Sequence, residues 1–378
     1  MKSNPNKNRN ASGCALIFVV VIVSIVSTFQ FIRNIMSIYE ERTVGFTFLL
    51  VLLAGLAIYL GYVISGIVHE FGHYIFGRLA GYKLLSFRVS IFVLKKENGK
   101  IKFKIDYRQK LGGQCLMMPP EGDWRNIPFA LFHMGGCITN LIVSLSSIAL
   151  YLYLPDSLLS YTFLMPIIII GFIDGFGNGI PIYFRGITND GYHFLKAKQS
   201  EEFRYTSWLL LTITGKLQSG MRLKDLPEEW FSYVNDANID DPHIYAAGVF
   251  KCLYNFDKRE IDKGREYSEF ILSQGSDDLE PHMNILRTEL LFWEIIGDCR
   301  QEEIERLYTK SLEKFFKDFR HFLSIIRVKY AYELLVNKDM EKAKDILEEF
   351  HKVAKTESNQ NEIEDELELI RLAETCSQ

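Results

Sequence analysis

Cysteine is scarce and scattered in this sequence. Its six residues (Cys14, Cys115, Cys137, Cys252, Cys299 and Cys376) form no Cys-x-x-Cys pair. That excludes a cysteine-ligated zinc site and a disulfide framework, and leaves free thiols of a reducing compartment. Charge of one sign is also lacking. With a net charge of −4 and no basic stripe, nothing in the chain points to a nucleic-acid partner. The composition, 48% hydrophobic and 24% charged, resembles that of a soluble protein. The average hides an asymmetry, because the apolar residues crowd the first half and the charges the second. Such a division argues against one large globular core and for a membrane part followed by a water-soluble part.

Four stretches are long and apolar enough to cross a bilayer: Cys14–Ile32, Val44–Val68, Ile127–Leu154 and Tyr161–Tyr183. The first ends without a small-x-small cleavage site and reads as a retained anchor. Eleven Lys/Arg fall between Arg78 and Arg125, whereas the loops at Glu40–Arg42 and Pro155–Ser160 carry almost none. The positive-inside rule then predicts a multi-pass protein of the cell membrane with both termini and the middle loop cytoplasmic. Inside that loop, Leu85–Val93 and Ile101–Tyr107 alternate with period two and flank Asn98-Gly99. This predicts a small β-hairpin that can offer an edge to an extended peptide.

Beyond about residue 200 the pattern turns helical and charged. Asp257, Asp298 and Asp339 sit 41 residues apart at turns between helix-like segments. That period suggests a tetratricopeptide-like repeat able to bind a cytosolic protein. The expected organisation is a polytopic, mainly α membrane domain over residues 1–200 and a cytoplasmic helical-repeat domain over 201–378.

The chemistry concentrates in Val68-His69-Glu70-Phe71-Gly72-His73. Residues four apart on a helix share a face, so His69 and His73 can reach one metal ion. Glu70 then stands beside it to take a proton from bound water. Polar residues that continue a membrane span are costly and default to function. A catalytic zinc needs a third protein ligand. Asp190 lies at the cytoplasmic end of the fourth span, level with the histidines, and is preferred; Asp174 lies deeper in that span, and His193 is a further option. Asn140, after Gly135-Gly136, and Asn178, in Asn178-Gly179-Ile180-Pro181, are amides in apolar surroundings that must find partners. Helix–helix contact or a substrate role would supply them. The Gly and Pro around Asn178 also suggest a broken helix.

H-E-F-G-H on one span, G-G-x-x-x-N on a later one, and N-x-x-P followed by D-G resemble the site-2 protease (M50) family of intramembrane zinc metalloproteases. The resemblance covers about Val44–Gly191. It implies zinc held by His69, His73 and Asp190, Glu70 as general base, and Asn140 and Asn178 assisting at the substrate. It further implies that the hairpin near Arg88–Tyr107 guides an extended stretch of a membrane-anchored protein or peptide. The rival reading is a catalytically inactive relative that serves as a scaffold for a cytosolic partner, and the intact H-E-x-x-H argues against it. A transporter is disfavoured by the small number of spans and the lack of an inverted repeat.

Overall fold

The computed structural model describes residues 44–97, 100–106, 112–154, 158–184, 187–232, 239, 241–357 and 359–377, with scattered positions from 18 to 37. The first expected span falls mostly outside them, as do the Asn98-Gly99 turn and Tyr107. The chain divides into two compact units, Met1–Tyr205 and Thr206–Gln378.

In the first unit, α1 (Val44–Leu79) runs for 36 residues. It carries no proline, and its apolar run passes directly into H-E-F-G-H, so nothing in the sequence stops the helix before the metal-ligand motif. It is followed by α2 (Phe129–Tyr153) and α3 (Leu158–Gly179). Among the described residues, three helical segments are long and apolar enough to cross a membrane: Gly45–Leu79, Trp124–Tyr153 and Ser160–Gly179. The candidate spans described are therefore three, where the sequence suggested four. Only 22%, 33% and 28% of their apolar windows is buried within the protein. Most of that surface is left for lipid, as a multi-pass membrane protein requires. Where α1 meets α2, Gly72 and Gly135 face each other. A Cβ on Gly135 would lie 2.7 Å from the Gly72 carbonyl oxygen, so only small residues permit this approach.

Between α1 and α2 lies a four-stranded antiparallel sheet: β1 (Lys83–Val89), β2 (Phe92–Glu97), β3 (Lys100–Ile105) and β4 (Gly113–Met118) in the order β3-β2-β1-β4. The single expected strand Leu85–Val93 is thus two strands. The chain reverses at Ser90 (φ 54°) and Ile91, and Val89 pairs with Phe92. Val89 and Phe92, as cross-strand partners, share a face, so the reversal shifts the alternation by one residue, and the apolar run Phe92-Val93-Leu94 hides that shift. The end strand β4, Gly-Gln-Cys-Leu-Met-Met, does not alternate and was not foreseen.

After α3, a minimal hairpin, β5 (Tyr183–Phe184) with β6 (Ile187–Thr188), returns the chain to α4 (Asp190–Gln199) and then α5 (Glu201–Gln218). The second unit is helical: α6 (Pro242–Asp257), α7 (Ile261–Ser273), α8 (Glu280–Ile296), α9 (Gln301–Leu307), α10 (Lys310–Asp318), α11 (Leu323–Ala331), a π-helical turn at Tyr332–Val336, α12 (Met340–Ala354) and α13 (Gln360–Cys376). Its core gathers Leu286, Leu291, Phe292, Val328 and Phe350, all fully buried. The equally spaced turns do exist, and Arg259, Cys299 and Lys338 each take positive φ there. Among the described residues no repeat domain is shown, however. After the turn at Asp298, the helix-like segment that the charged pattern suggests is interrupted at Tyr308 and Thr309, which separate α9 from α10.

Candidate metal centre

His69 and His73 stand one turn apart in the last third of α1, and Asp190 opens α4. His69 Nε2 lies 3.1 Å from His73 Nε2; Asp190 Oδ2 lies 3.0 Å from the first and 3.3 Å from the second. Four donors arranged tetrahedrally at roughly 2.0–2.1 Å from a zinc ion stand about 3.3 Å from one another. The three atoms therefore fit three corners of such a shell and leave the fourth open. Among the described residues this is the one group of three or more metal-ligating side chains that converges. The donor set, two imidazoles and a carboxylate, suits zinc.

Each of the three side chains is held from behind. His73 Nδ1 meets the backbone carbonyl of Phe132 at 2.8 Å, an acceptor that fixes the ring with Nε2 toward the trio. The His69 ring lies against Gly136 of α2, where a Cβ would come within 2.6 Å of its Nε2. Asp190 is placed by Asn189, the N-cap of α4, which uses all of its hydrogen-bonding capacity. Its Oδ1 accepts from Tyr192 N (3.0 Å) and Ile182 N (2.9 Å), and its Nδ2 donates to the carbonyls of Gly177 (2.8 Å) and Ile180 (2.7 Å). This one amide clips the start of α4 to the end of α3. Gly191 completes the joint, since its Cα sits where any Cβ would strike the Gly179 carbonyl. Burial alone would raise the Asp190 carboxyl, but the hydrogen bonds from His69 and His73 outweigh it and hold the group well below the usual carboxylate range.

Glu70 is half-buried on α1, within electrostatic reach of His69, His73 and Asp190. The start of β4 abuts it: a Cβ on Gly113 would lie 2.6 Å from Glu70 Oε1. The Cys115 backbone N–H of the same strand also approaches its carboxylate. Burial pushes the Cys115 thiol up to about 12, so it stays neutral beside the glutamate.

The remaining candidates separate. Asp174 Oδ2 accepts from Ser65 Oγ at 2.6 Å, one turn before His69 on α1, and it does not join the trio. His193 Nε2 pairs with Thr188 Oγ1 at 2.9 Å while its ring stacks on His133 at 5.2 Å. Asn140 is fully buried and faces His69. Asn178 is half-buried in the last turn of α3, with no hydrogen bond to the trio among the described residues. The Gly and Pro near it mark the end of that helix and not a break within it.

Sequence reasoning missed two neighbours of the site. Asn189 carried a visible signal, an N-cap residue directly before a helical pattern. Cys137, whose thiol lies 3.8 Å from Asp190 Oδ2, carried none. A family model described as Peptidase family M50 matches residues 56–369, running through both units. No curated protein and no solved structure matches the chain.

Proposed function

The chain belongs to peptidase family M50, zinc-dependent metallopeptidases acting on protein substrates, and from this premise we propose that it is an intramembrane zinc metalloendopeptidase. Its substrate is a membrane-anchored protein or peptide, cut in or near its membrane segment. The observation that carries this reading is the spacing of His69 Nε2, His73 Nε2 and Asp190 Oδ2, 3.0–3.3 Å apart, with Glu70 beside them. Zinc bound there is a Lewis acid that acidifies water and polarises a peptide carbonyl.

The protein's own groups do the rest. Glu70 takes the proton of the attacking water and delivers it to the leaving amine, a general base that becomes a general acid. A helical substrate hides its carbonyls in hydrogen bonds, so it must unwind before it is cut. β4 ends the sheet, and no strand pairs with its outer side among the described residues. That edge captures an unwound segment through main-chain bonds next to Glu70. This moves the expected guide from the hairpin at Arg88–Tyr107 to Gly113–Met118. The Lys and Arg between Arg78 and Arg125 support a site at the cytoplasmic face of the membrane.

The test is Glu70→Gln in the full-length protein. We expect about one zinc per chain to remain, with hydrolysis of a membrane-anchored reporter reduced roughly 10²–10⁴-fold. Full cleavage by that variant would rule out Glu70 as the base, and a wild-type protein without zinc would remove the metallopeptidase site itself.

A further inference from the structure

Both histidines turn Nε2 toward the trio, so each has a second ring nitrogen, Nδ1, facing away from it. An imidazole that gives its Nε2 lone pair to a metal carries its proton on Nδ1, and that N–H needs an acceptor. For His73 the acceptor is the Phe132 carbonyl at 2.8 Å. For His69 the group in place is the side-chain amide of Asn140, with Nδ2 3.4 Å from His69 Nδ1. Asn140 is 0% exposed, and its Oδ1 is buried with no hydrogen-bond partner. An amide NH₂ set against an Nδ1–H would oppose donor to donor. A half-turn of the amide exchanges its two ends in the same space and presents Oδ1 as the missing acceptor.

We propose that Asn140 is the positioning residue for His69: Oδ1 accepts Nδ1–H, fixes the tautomer that leaves Nε2 for zinc, and holds the ring against Gly136. This rests on the zinc reading above and reassigns Asn140 from the substrate role that the family resemblance implied. The residue lies behind the imidazole, against the nitrogen that faces away from the trio, where a substrate backbone has no access while the helices stay packed.

The experiment compares wild type, Asn140→Leu and Asn140→Asp as full-length purified proteins. Zinc affinity is read by chelator competition, and the ligand field by the visible spectrum of the cobalt-loaded forms. Leucine fills the space without an acceptor and should weaken zinc binding 10–100-fold, the usual effect of losing an outer-shell partner. Aspartate offers acceptors only and should bind zinc within about threefold of wild type, with an unshifted cobalt spectrum. Wild-type affinity in Asn140→Leu would overturn the proposal and return Asn140 to packing or to substrate. Affinity in Asn140→Asp as weak as in Asn140→Leu would overturn it as well, because accepting a hydrogen bond would then not be what matters. Should the leucine variant fail to fold, the aspartate comparison still decides: a tenfold or greater loss sinks the proposal. Wild type without zinc would instead defeat the metallopeptidase reading, a separate and recognisable result.

Discussion

In the membrane unit Asp190 is held by His69 and His73, two groups that can both be neutral; in the helical unit Glu294 is clamped by Arg265 (2.9 Å) and Arg300 (2.7 Å), which cannot. The helical unit repeats its solution. Arg327, 1% exposed, pairs with Glu289 and Glu366, and Arg222 joins Asp257, Asp365 and Glu368. In these clusters the carboxylates face guanidinium groups, which stay charged, and the ion pairs tie helices together. Around Asp190 the balance differs. Three lone-pair donors converge, and among the described residues Asp190 forms no ion pair with a Lys or Arg, an arrangement that a proton or a metal ion would complete. A buried acid paired with arginine therefore speaks of structure, and one paired with imidazoles speaks of a site.

The largest effect that would test this contrast is Asp190→Ala. Zinc affinity should fall by more than the roughly 10–100-fold typical of an outer-shell partner, measured by metal content after dialysis against a chelator. Retained zinc would erase the distinction between the two units. Asn189→Ala removes the amide that clips α4 to α3, and should weaken zinc about tenfold while Glu70 and both histidines remain in place.

In the helical unit, Glu294→Gln should leave zinc binding unchanged and lower stability by on the order of 2 kcal/mol, read from urea unfolding. The figure is kept modest because Arg300 is 56% exposed and water screens the pair. The same group sets a pH dependence. Hydrogen bonds from Arg300 hold the Glu294 carboxyl down at about 2 against an ordinary 4.5. Its contribution is thus fully present above about pH 4.5 and is lost as the pH falls through about 2. Urea midpoints taken from pH 5 down to pH 2 should decline in wild type and flatten in Glu294→Gln. The smallest effect belongs to the exposed Glu313–Lys317 pair on α10, where Glu313→Ala should leave both zinc affinity and the unfolding midpoint unchanged.

The sequence carried the spans, the helical character of the second half and the H-E-x-x-H because these are local patterns. An apolar run of bilayer length and two histidines one turn apart mean the same thing in any surroundings. One reading failed where a local pattern was ambiguous: alternation through Ser90 hid a reversal. The equal spacing of three aspartates does mark turns, while no repeat domain is shown among the described residues.

By itself, then, the sequence determined the membrane-bound character of the first half, the helix that presents His69, Glu70 and His73, and a short choice of third donors. Only the tertiary structure brought Asp190, and not Asp174 or His193, to His69 and His73, set β4 against Glu70, and put Asn140 behind His69. The reason is distance along the chain. His69 and Asp190 are 121 residues apart, and no local periodicity records which side chains meet once three helices close around a pair of glycines.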